Sequence, residues 1–139
     1  MNKPQKILFT VLRFAAALIL LQTLAFKFTA HPDSVALFTT LGLEPYGRIG
    51  IGIMELIAGA LLIYTRFAWL GAILGMGLMA GAIFSHLTVL GIEFNGDGGS
   101  LFALAVITFV CCAGVLYLQK EQLLRIFSKV FSKQLTSRQ

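Results

Sequence analysis

Four long apolar segments alternate with short polar stretches along the chain. They cover about residues 7–26, 47–63, 67–90 and 100–118. Each is close to the roughly 20 residues that a helix needs to cross the hydrocarbon core of a bilayer. The pattern therefore predicts four transmembrane helices, and the fold class that we expect is an all-α integral membrane four-helix bundle.

A signal peptide is the alternative interpretation of the first apolar segment. Arg13 interrupts its core, the segment is longer than the apolar region of an ordinary signal peptide, and no A-x-A cleavage site follows it cleanly. We therefore expect a retained transmembrane helix. The side chain of Arg13 is expected to extend to the nearest lipid headgroups.

After Leu118 the pattern changes to that of an amphipathic helix. Apolar residues recur at helical spacing between residues 123 and 131, and Arg125, Lys129 and Lys133 follow one another four residues apart on the opposite face. Such a helix is typical of a segment that lies on an anionic membrane leaflet, and docking on a partner protein is the alternative. We therefore expect a four-helix domain, residues 1–118, and a basic amphipathic cytoplasmic tail, residues 119–139.

Composition agrees with the membrane class of proteins. Hydrophobic residues make up 58% of the 139 residues and charged residues only 12%, which is far from the average of soluble domains. The net charge of +5 comes mainly from the two ends of the chain, without the basic and aromatic pattern of a nucleic-acid groove, so no nucleic-acid partner is expected. Cys111 and Cys112 are adjacent within an apolar segment, so we interpret them as small hydrophobic residues.

The distribution of Lys and Arg predicts the orientation of the four helices. Cytoplasmic loops are enriched in these residues. With four spans, one side of the membrane carries most of them: Lys3, Lys6, Arg66, Lys120, Arg125, Lys129, Lys133 and Arg138. Only Lys27 and Arg48 flank the other side. Both termini are therefore predicted to be cytoplasmic.

Two polar stretches connect the predicted helices on the outer side. Residues 31–34, HPDS, are a turn and helix-cap signal, and they predict a short amphipathic helix before Gly42 that lies on the outer surface or covers the mouth of the bundle. Residues 91–99 contain NGDGG. This second stretch lacks the ligand spacing of a calcium loop and the Lys of a phosphate-binding loop, and no metal site is expected.

Glu55 is the one carboxylate within the second apolar segment, which reads RIGIGIMELIAGALLIY from residue 48 to residue 64. Gly52 and Gly59 share its helical face and allow a neighbouring helix to approach closely. An acid at this depth is costly, so we expect it to face the interior of the bundle, to find a partner or to stay protonated. A buried structural Glu and a functional group both remain open as interpretations.

His86 ends a second face of small residues, which begins at Gly71 and Gly75 in the third segment. If both helices reach the same surface, His86 and Glu55 differ in depth by only about 6 Å. Lys27 ends the first helix on the same side. We therefore expect Lys27, Glu55 and His86 to converge on one polar pocket in the outer half of the bundle, whereas Arg13 lies about 21 Å from Lys27 along the axis.

The chain resembles the DoxX family of small four-helix membrane proteins. Three segments carry the resemblance, and they read RFAAALILLQTLAFKFTAHPDSVALFTTLG, GRIGIGIMELIAGALLI and GAIFSHLTVLGIEFNGDGG. The family pattern of an early Arg, a late Lys, a Glu in the second helix and a His late in the third corresponds to Arg13, Lys27, Glu55 and His86. The resemblance implies a multi-pass protein of the bacterial inner membrane. Family namesakes are linked to a thiosulfate:quinone oxidoreductase, and other members associate with redox systems.

Two functions are consistent with these observations. In the first, the protein is a quinone- or lipid-binding membrane subunit of a redox system, in which Lys27, Glu55 and His86 bind the polar head of the ligand. No redox centre is visible in the sequence, which favours a non-catalytic subunit, with a bound quinone as its candidate cofactor. The expected partners are the lipid bilayer, membrane or redox proteins and a second copy of the chain. In the alternative, the protein is a structural or assembly anchor, and the polar cluster only specifies the fold.

Overall fold

Helices form all of the regular structure that the computed structural model describes, which covers residues 1–137. In chain order the α-helices are α1 (Lys3–Gln22), α2 (Leu24–Phe28), α3 (Pro32–Thr40), α4 (Tyr46–Ile63), α5 (Ala68–Ser85), α6 (Ser100–Leu118) and α7 (Lys120–Thr136). A 3-10 turn precedes α5 (Thr65–Phe67), and a π-helical turn follows it (His86–Leu90). The last two residues of the predicted tail, 138 and 139, lie outside the described residues.

Four segments have the length and the apolar composition to cross a membrane, as the hydrophobic pattern predicted. They are Lys3–Phe28, Tyr46–Ile63, Thr65–Leu90 and Ser100–Leu118. The first of these spans consists of α1 and α2, which are separated by the single residue Thr23. The predicted all-α membrane bundle of four helices is therefore confirmed.

The four spans form a closed ring. The first span packs against α4 and α6, and α5 packs against the same two helices. The N terminus, the α4–α5 connection and the start of α7 lie at one end of the bundle, which we call the terminal end. We call the opposite end the loop end. There α3 packs against α2, α4 and the π-helical turn, so it covers the mouth of the bundle, as expected.

Small side chains allow the helices to pack closely at the centre of the bundle. The fully buried residues include Ala16, Ala58, Ala72, Cys112 and Val115. Both cysteines, at positions 111 and 112, are buried and free, as expected of small hydrophobic residues.

Gly71 marks the closest approach between α4 and α5. A Cβ atom at this position would lie 2.7 Å from the backbone oxygen of Ala58 and 2.7 Å from the backbone nitrogen of Leu62. Only glycine fits there, since real Cβ contacts are never so short. By contrast, a Cβ atom at Gly77 or Gly81 would have no neighbour within 4 Å.

Candidate functional site

A buried ion pair joins the first span to α4 near the loop end. The Nζ atom of Lys27 lies 2.8 Å from Oε2 of Glu55, and the two side chains are 14% and 5% exposed. The hydroxyl of Thr23 lies 3.3 Å from the same Oε2 atom and 3.0 Å from the carbonyl oxygen of Leu20. A hydroxyl has one proton, so it donates to one of these oxygens at a time. Thr23 therefore adds a hydrogen bond to the Glu55 carboxylate only when its hydroxyl is not bonded to Leu20.

Local helix geometry explains why these side chains meet. Thr23 and Lys27 are four residues apart, which places both on the face of the first span that meets α4. On α4, a Cβ atom at Gly52 would lie 3.0 Å from the ring of Phe28 and 3.6 Å from Cβ of Lys27. The glycine face that the sequence predicted next to Glu55 therefore contacts the first span, and it brings the lysine within reach of the acid.

Arg48 adds a second, partly buried ion pair beside the first. Its Nε atom lies 2.9 Å from both carboxylate oxygens of Glu44, and one of its terminal nitrogens donates a hydrogen bond to the backbone carbonyl of Lys27. The arginine is only 6% exposed. Sequence reasoning placed it at the membrane boundary as a topology charge. The spacing of four between Glu44 and Arg48 is a sequence signal for an ion pair, and the structure forms that pair between the loop before α4 and the first turn of the helix.

The group formed by Lys27, Glu44, Arg48 and Glu55, which we call the polar cluster, is balanced in charge. Two cations face two carboxylates, and such pairing is what permits charges to be buried. Its hydrogen-bonding capacity is not exhausted. An ammonium group has three donors, and within residues 1–137 that of Lys27 contacts only Glu55, whose Oε1 atom accepts no hydrogen bond. The Lys27–Glu55 pair therefore retains two N–H donors and one acceptor oxygen.

His86 lies at the start of the π-helical turn and has partners of its own. It is 4% exposed, its Nδ1 atom lies 2.8 Å from the carbonyl oxygen of Gly91, and its ring packs edge-on against Phe102. A carbonyl only accepts hydrogen bonds, so Nδ1 carries the proton, and in the neutral ring Nε2 is an acceptor. No hydrogen bond or ion pair joins His86 to Lys27 or Glu55 in the part of the chain described. Of the three residues expected to converge, the structure brings two together.

Asp97 organises the loop that follows His86. Its carboxylate accepts backbone hydrogen bonds from Phe94 at 3.0 Å, Gly99 at 2.8 Å and Leu101 at 3.2 Å. Burial alone would raise the pKa of this carboxyl. The three N–H donors, together with the nearby His86, outweigh burial and hold the pKa below its ordinary value of 3.8. Asp97 is therefore a structural anion that fixes the N-terminus of α6.

Arg13 is buried against the last residues of α4 at the terminal end of the bundle. It is 9% exposed, and its guanidinium donates hydrogen bonds to the carbonyl oxygens of Leu62 and Ile63. The group also lies 4.6 Å from the centroid of the Phe14 ring. The last carbonyls of α4 have no partner within the helix and carry the negative end of its dipole, so a buried cation is stabilised there. Arg13 and Lys27 thus occupy opposite ends of the bundle, as expected.

Comparison with known proteins identifies the family of the chain. No curated protein and no solved structure matches the sequence. The model for the DoxX family matches residues 8–88, which is more than half of the 139 residues and includes Arg13, Lys27, Glu55 and His86. On this match, and with four helices suited to crossing a membrane, the chain is a multi-pass membrane protein that belongs to the DoxX family.

Proposed function

We propose that this DoxX-family protein is a membrane subunit that binds the polar head of a quinone or a lipid beside the Lys27–Glu55 pair. The observation that carries the proposal is the unused capacity of this pair. Two ammonium donors and one carboxylate oxygen remain available at a position buried between two spans. Lys27, at 14% exposure, is the more accessible partner and provides the point of entry.

The chemistry of the pair suits a head group that presents oxygen atoms. A quinone carbonyl or a lipid phosphate oxygen accepts hydrogen bonds from Lys27, and a quinol or lipid hydroxyl donates to Glu55. A charge-assisted hydrogen bond of this kind is roughly twice as strong as one between neutral groups. In this proposal His86 completes the ligand-binding set through the acceptor Nε2 atom of its ring.

The proposal includes the setting of the protein. The protein lies in a bacterial inner membrane with both termini in the cytoplasm, so the ligand is bound in the outer half of the bilayer. Other membrane or redox proteins supply the electron-transfer centres, and this chain contributes a ligand site without catalysing the reaction itself. The family resemblance supports the redox association, and the excess of Lys and Arg at the terminal end supports the orientation.

A structural role for the same residues is the second candidate function. Each of the four charges in the polar cluster has a partner of opposite sign within the chain. A self-sufficient set of ion pairs is what a fold-specifying anchor would contain. The two functions predict different results when the charges of Lys27 and Glu55 are removed together.

The test compares the molecules that co-purify with three forms of the protein. We purify wild type, Glu55→Gln and the double variant Lys27→Met/Glu55→Gln in mild detergent, and we identify bound quinones and lipids by mass spectrometry. Breaking a buried pair costs about 3–5 kcal/mol because one charge is stranded, so the single variant is expected to be less stable. The double variant strands no charge. We expect it to fold with nearly wild-type stability and to lose the bound molecule.

Glu93→Gln serves as the matched control, since it removes a carboxylate from an exposed position in a loop at the same end of the bundle. It is expected to retain the ligand. A quinone that disappears in the double variant identifies the ligand as a quinone, and a phospholipid that disappears identifies it as a lipid. If wild type and the folded double variant retain the same molecules in equal amounts, the binding proposal is wrong and the structural role is supported.

A further inference from the structure

The C-terminal helix α7 leaves an apolar face uncovered. None of its residues is buried in the bundle. Five large apolar side chains are between 60% and 69% exposed, and they recur at helical spacing along one side: Leu124, Phe127, Val130, Phe131 and Leu135. A continuous apolar face of this size on a helix that packs so little against its own chain requires another surface to cover it.

Basic residues occupy the opposite face of the same helix. Arg125, Lys129 and Lys133 follow one another at intervals of four, so they form a stripe roughly opposite Phe127 and Phe131. In all, α7 carries four basic residues against a single acid, Glu121. This combination of an apolar face and a cationic face complements a surface that has an apolar interior and negatively charged groups on its outside.

The position of α7 on the bundle matches such a surface. The helix begins at Lys120, and the last membrane-spanning helix ends at Leu118, so α7 starts within about 3 Å of the end of that span. Between them Gln119 is only 4% exposed. Tyr117 is 67% exposed, and the Lys120 ammonium lies 4.4 Å from the centroid of its ring. Tyrosine is typical of the boundary between hydrocarbon and headgroups.

We infer that α7 binds the surface of an anionic lipid bilayer, with its apolar face inserted below the headgroups and its basic stripe against their negative charge. This inference is independent of the ligand proposed for the polar cluster. It concerns the membrane leaflet at the terminal end, where the N terminus and the α4–α5 connection also lie. Anionic lipid is favoured over a protein partner because the helix begins at the membrane boundary and carries an excess of cations.

The experiment places a single tryptophan on either face of α7 in the full-length protein. The chain has one tryptophan, Trp69, so Trp69→Phe provides a silent background. In that background, Phe127→Trp reports on the apolar face, and Ser132→Trp is the matched control on the polar side. Each variant is reconstituted in nanodiscs of phosphatidylcholine alone or of phosphatidylcholine with phosphatidylglycerol. Emission wavelength and quenching by lipids brominated along their chains are then measured.

We expect blue-shifted, quenchable emission from Phe127→Trp in the anionic nanodiscs and water-like emission from Ser132→Trp. Each basic residue near an anionic surface changes binding by roughly fivefold, so the triple change Arg125→Gln/Lys129→Gln/Lys133→Gln is expected to lower the ratio of bound to free helix by roughly 100-fold. High salt is expected to weaken the binding because it screens the attraction.

Two results would overturn the inference. Water-like emission from Phe127→Trp in both lipid compositions would show that the apolar face does not enter the bilayer. Equal blue shifts in neutral and anionic nanodiscs, unaffected by the triple change, would show that the basic stripe does not select anionic lipid.

Discussion

At the scale of single residues, Asp97 shows how one carboxylate can hold a loop between two membrane spans. It accepts three backbone hydrogen bonds and ties residue 94 to the first turn of α6. Two of the residues in this loop, Gly98 and Gly99, have positive φ angles of 66° and 81°, which suit glycine. The loop therefore combines backbone freedom at the glycines with one strong anchor.

Replacing Asp97 by alanine is expected to lower the free energy of unfolding at pH 7 by about 1–2 kcal/mol, as for the loss of a helix cap. The carboxyl has a lowered pKa in the folded protein, so the unfolded state binds its proton at higher pH. The contribution of the ionised Asp97 carboxylate to the free energy of unfolding is therefore complete well above pH 3.8, and it disappears as the pH falls through the lowered pKa. Thermal unfolding of wild type and Asp97→Ala across this acidic range measures the difference.

Glu93→Ala is the control for Asp97→Ala, because Glu93 is exposed in the same loop and makes no side-chain hydrogen bond among the described residues. It is expected to unfold like wild type at every pH. A difference between wild type and Asp97→Ala that persists unchanged below the acidic range would contradict the proposed role of the ionised carboxylate.

The sequence predicted part of the polar cluster and missed the rest for physical reasons. Depth along a helix follows from residue number, so it was clear that Lys27 and Glu55 lie near one surface. The place of Arg48 was missed because its partners lie in the connecting loop and on the backbone of another helix. His86 was expected beside Glu55 because its depth is similar. Two side chains at similar depth can still point in different directions. In the structure the His86 ring contacts Gly91 and Phe102.

At the scale of helices, two glycines of α5 that look alike in the sequence have opposite surroundings. Gly71 meets the backbone of α4, and Gly77 faces open space. Gly71→Ala is expected to force α4 and α5 apart and to lower stability by about 1–3 kcal/mol, as overpacking does. Unfolding of the purified protein in detergent, followed by circular dichroism, measures this change.

Gly77→Ala is the matched control within the same helix. Alanine favours a helix over glycine by roughly 1 kcal/mol, so this variant is expected to be as stable as wild type or slightly more stable. Equal destabilisation by the two substitutions would mean that a factor common to both positions, such as contact with lipid, and not the approach of α4 to α5, determines the effect.

The boundaries of the spans were largely predictable, whereas their irregularities were not. Long apolar runs have few alternatives to a membrane helix, so the four spans followed from hydropathy alone. The interruption at Thr23 and the π-helical turn at His86 lie where the chain contacts distant segments, Glu55 in the first case and α3 in the second. Neither has a local signal such as proline or a glycine pair in the sequence. Irregular turns of this kind frequently occur at functional sites.

At the scale of the whole molecule, the orientation in the membrane is the main prediction. The N terminus and α7 share one end of the bundle, and the excess of Lys and Arg at that end predicts that it faces the cytoplasm. A fluorescent reporter that matures only in the cytoplasm is therefore expected to be active when fused after the last residue. Alkaline phosphatase, which is active only outside the cytoplasm, is expected to be active in a fusion that ends at Glu93.

The paired reporters give a clear outcome for the orientation. An inactive cytoplasmic reporter at the C terminus, combined with an inactive phosphatase at Glu93, would show that the topology is the reverse of the predicted one. It would also move the polar cluster to the inner half of the bilayer and α7 to the outer leaflet.

The polar contacts between spans have a consequence for biogenesis. Within residues 1–137, every side-chain hydrogen bond or ion pair between different spans joins the first span to α4, through Arg13 at one end and Thr23, Lys27 and Arg48 at the other. These two helices also emerge from the ribosome before α5 and α6 do. They can fasten to each other at both ends before the second half of the protein has been made. The later hairpin of α5 and α6 then docks by shape alone, onto a partner that is already assembled.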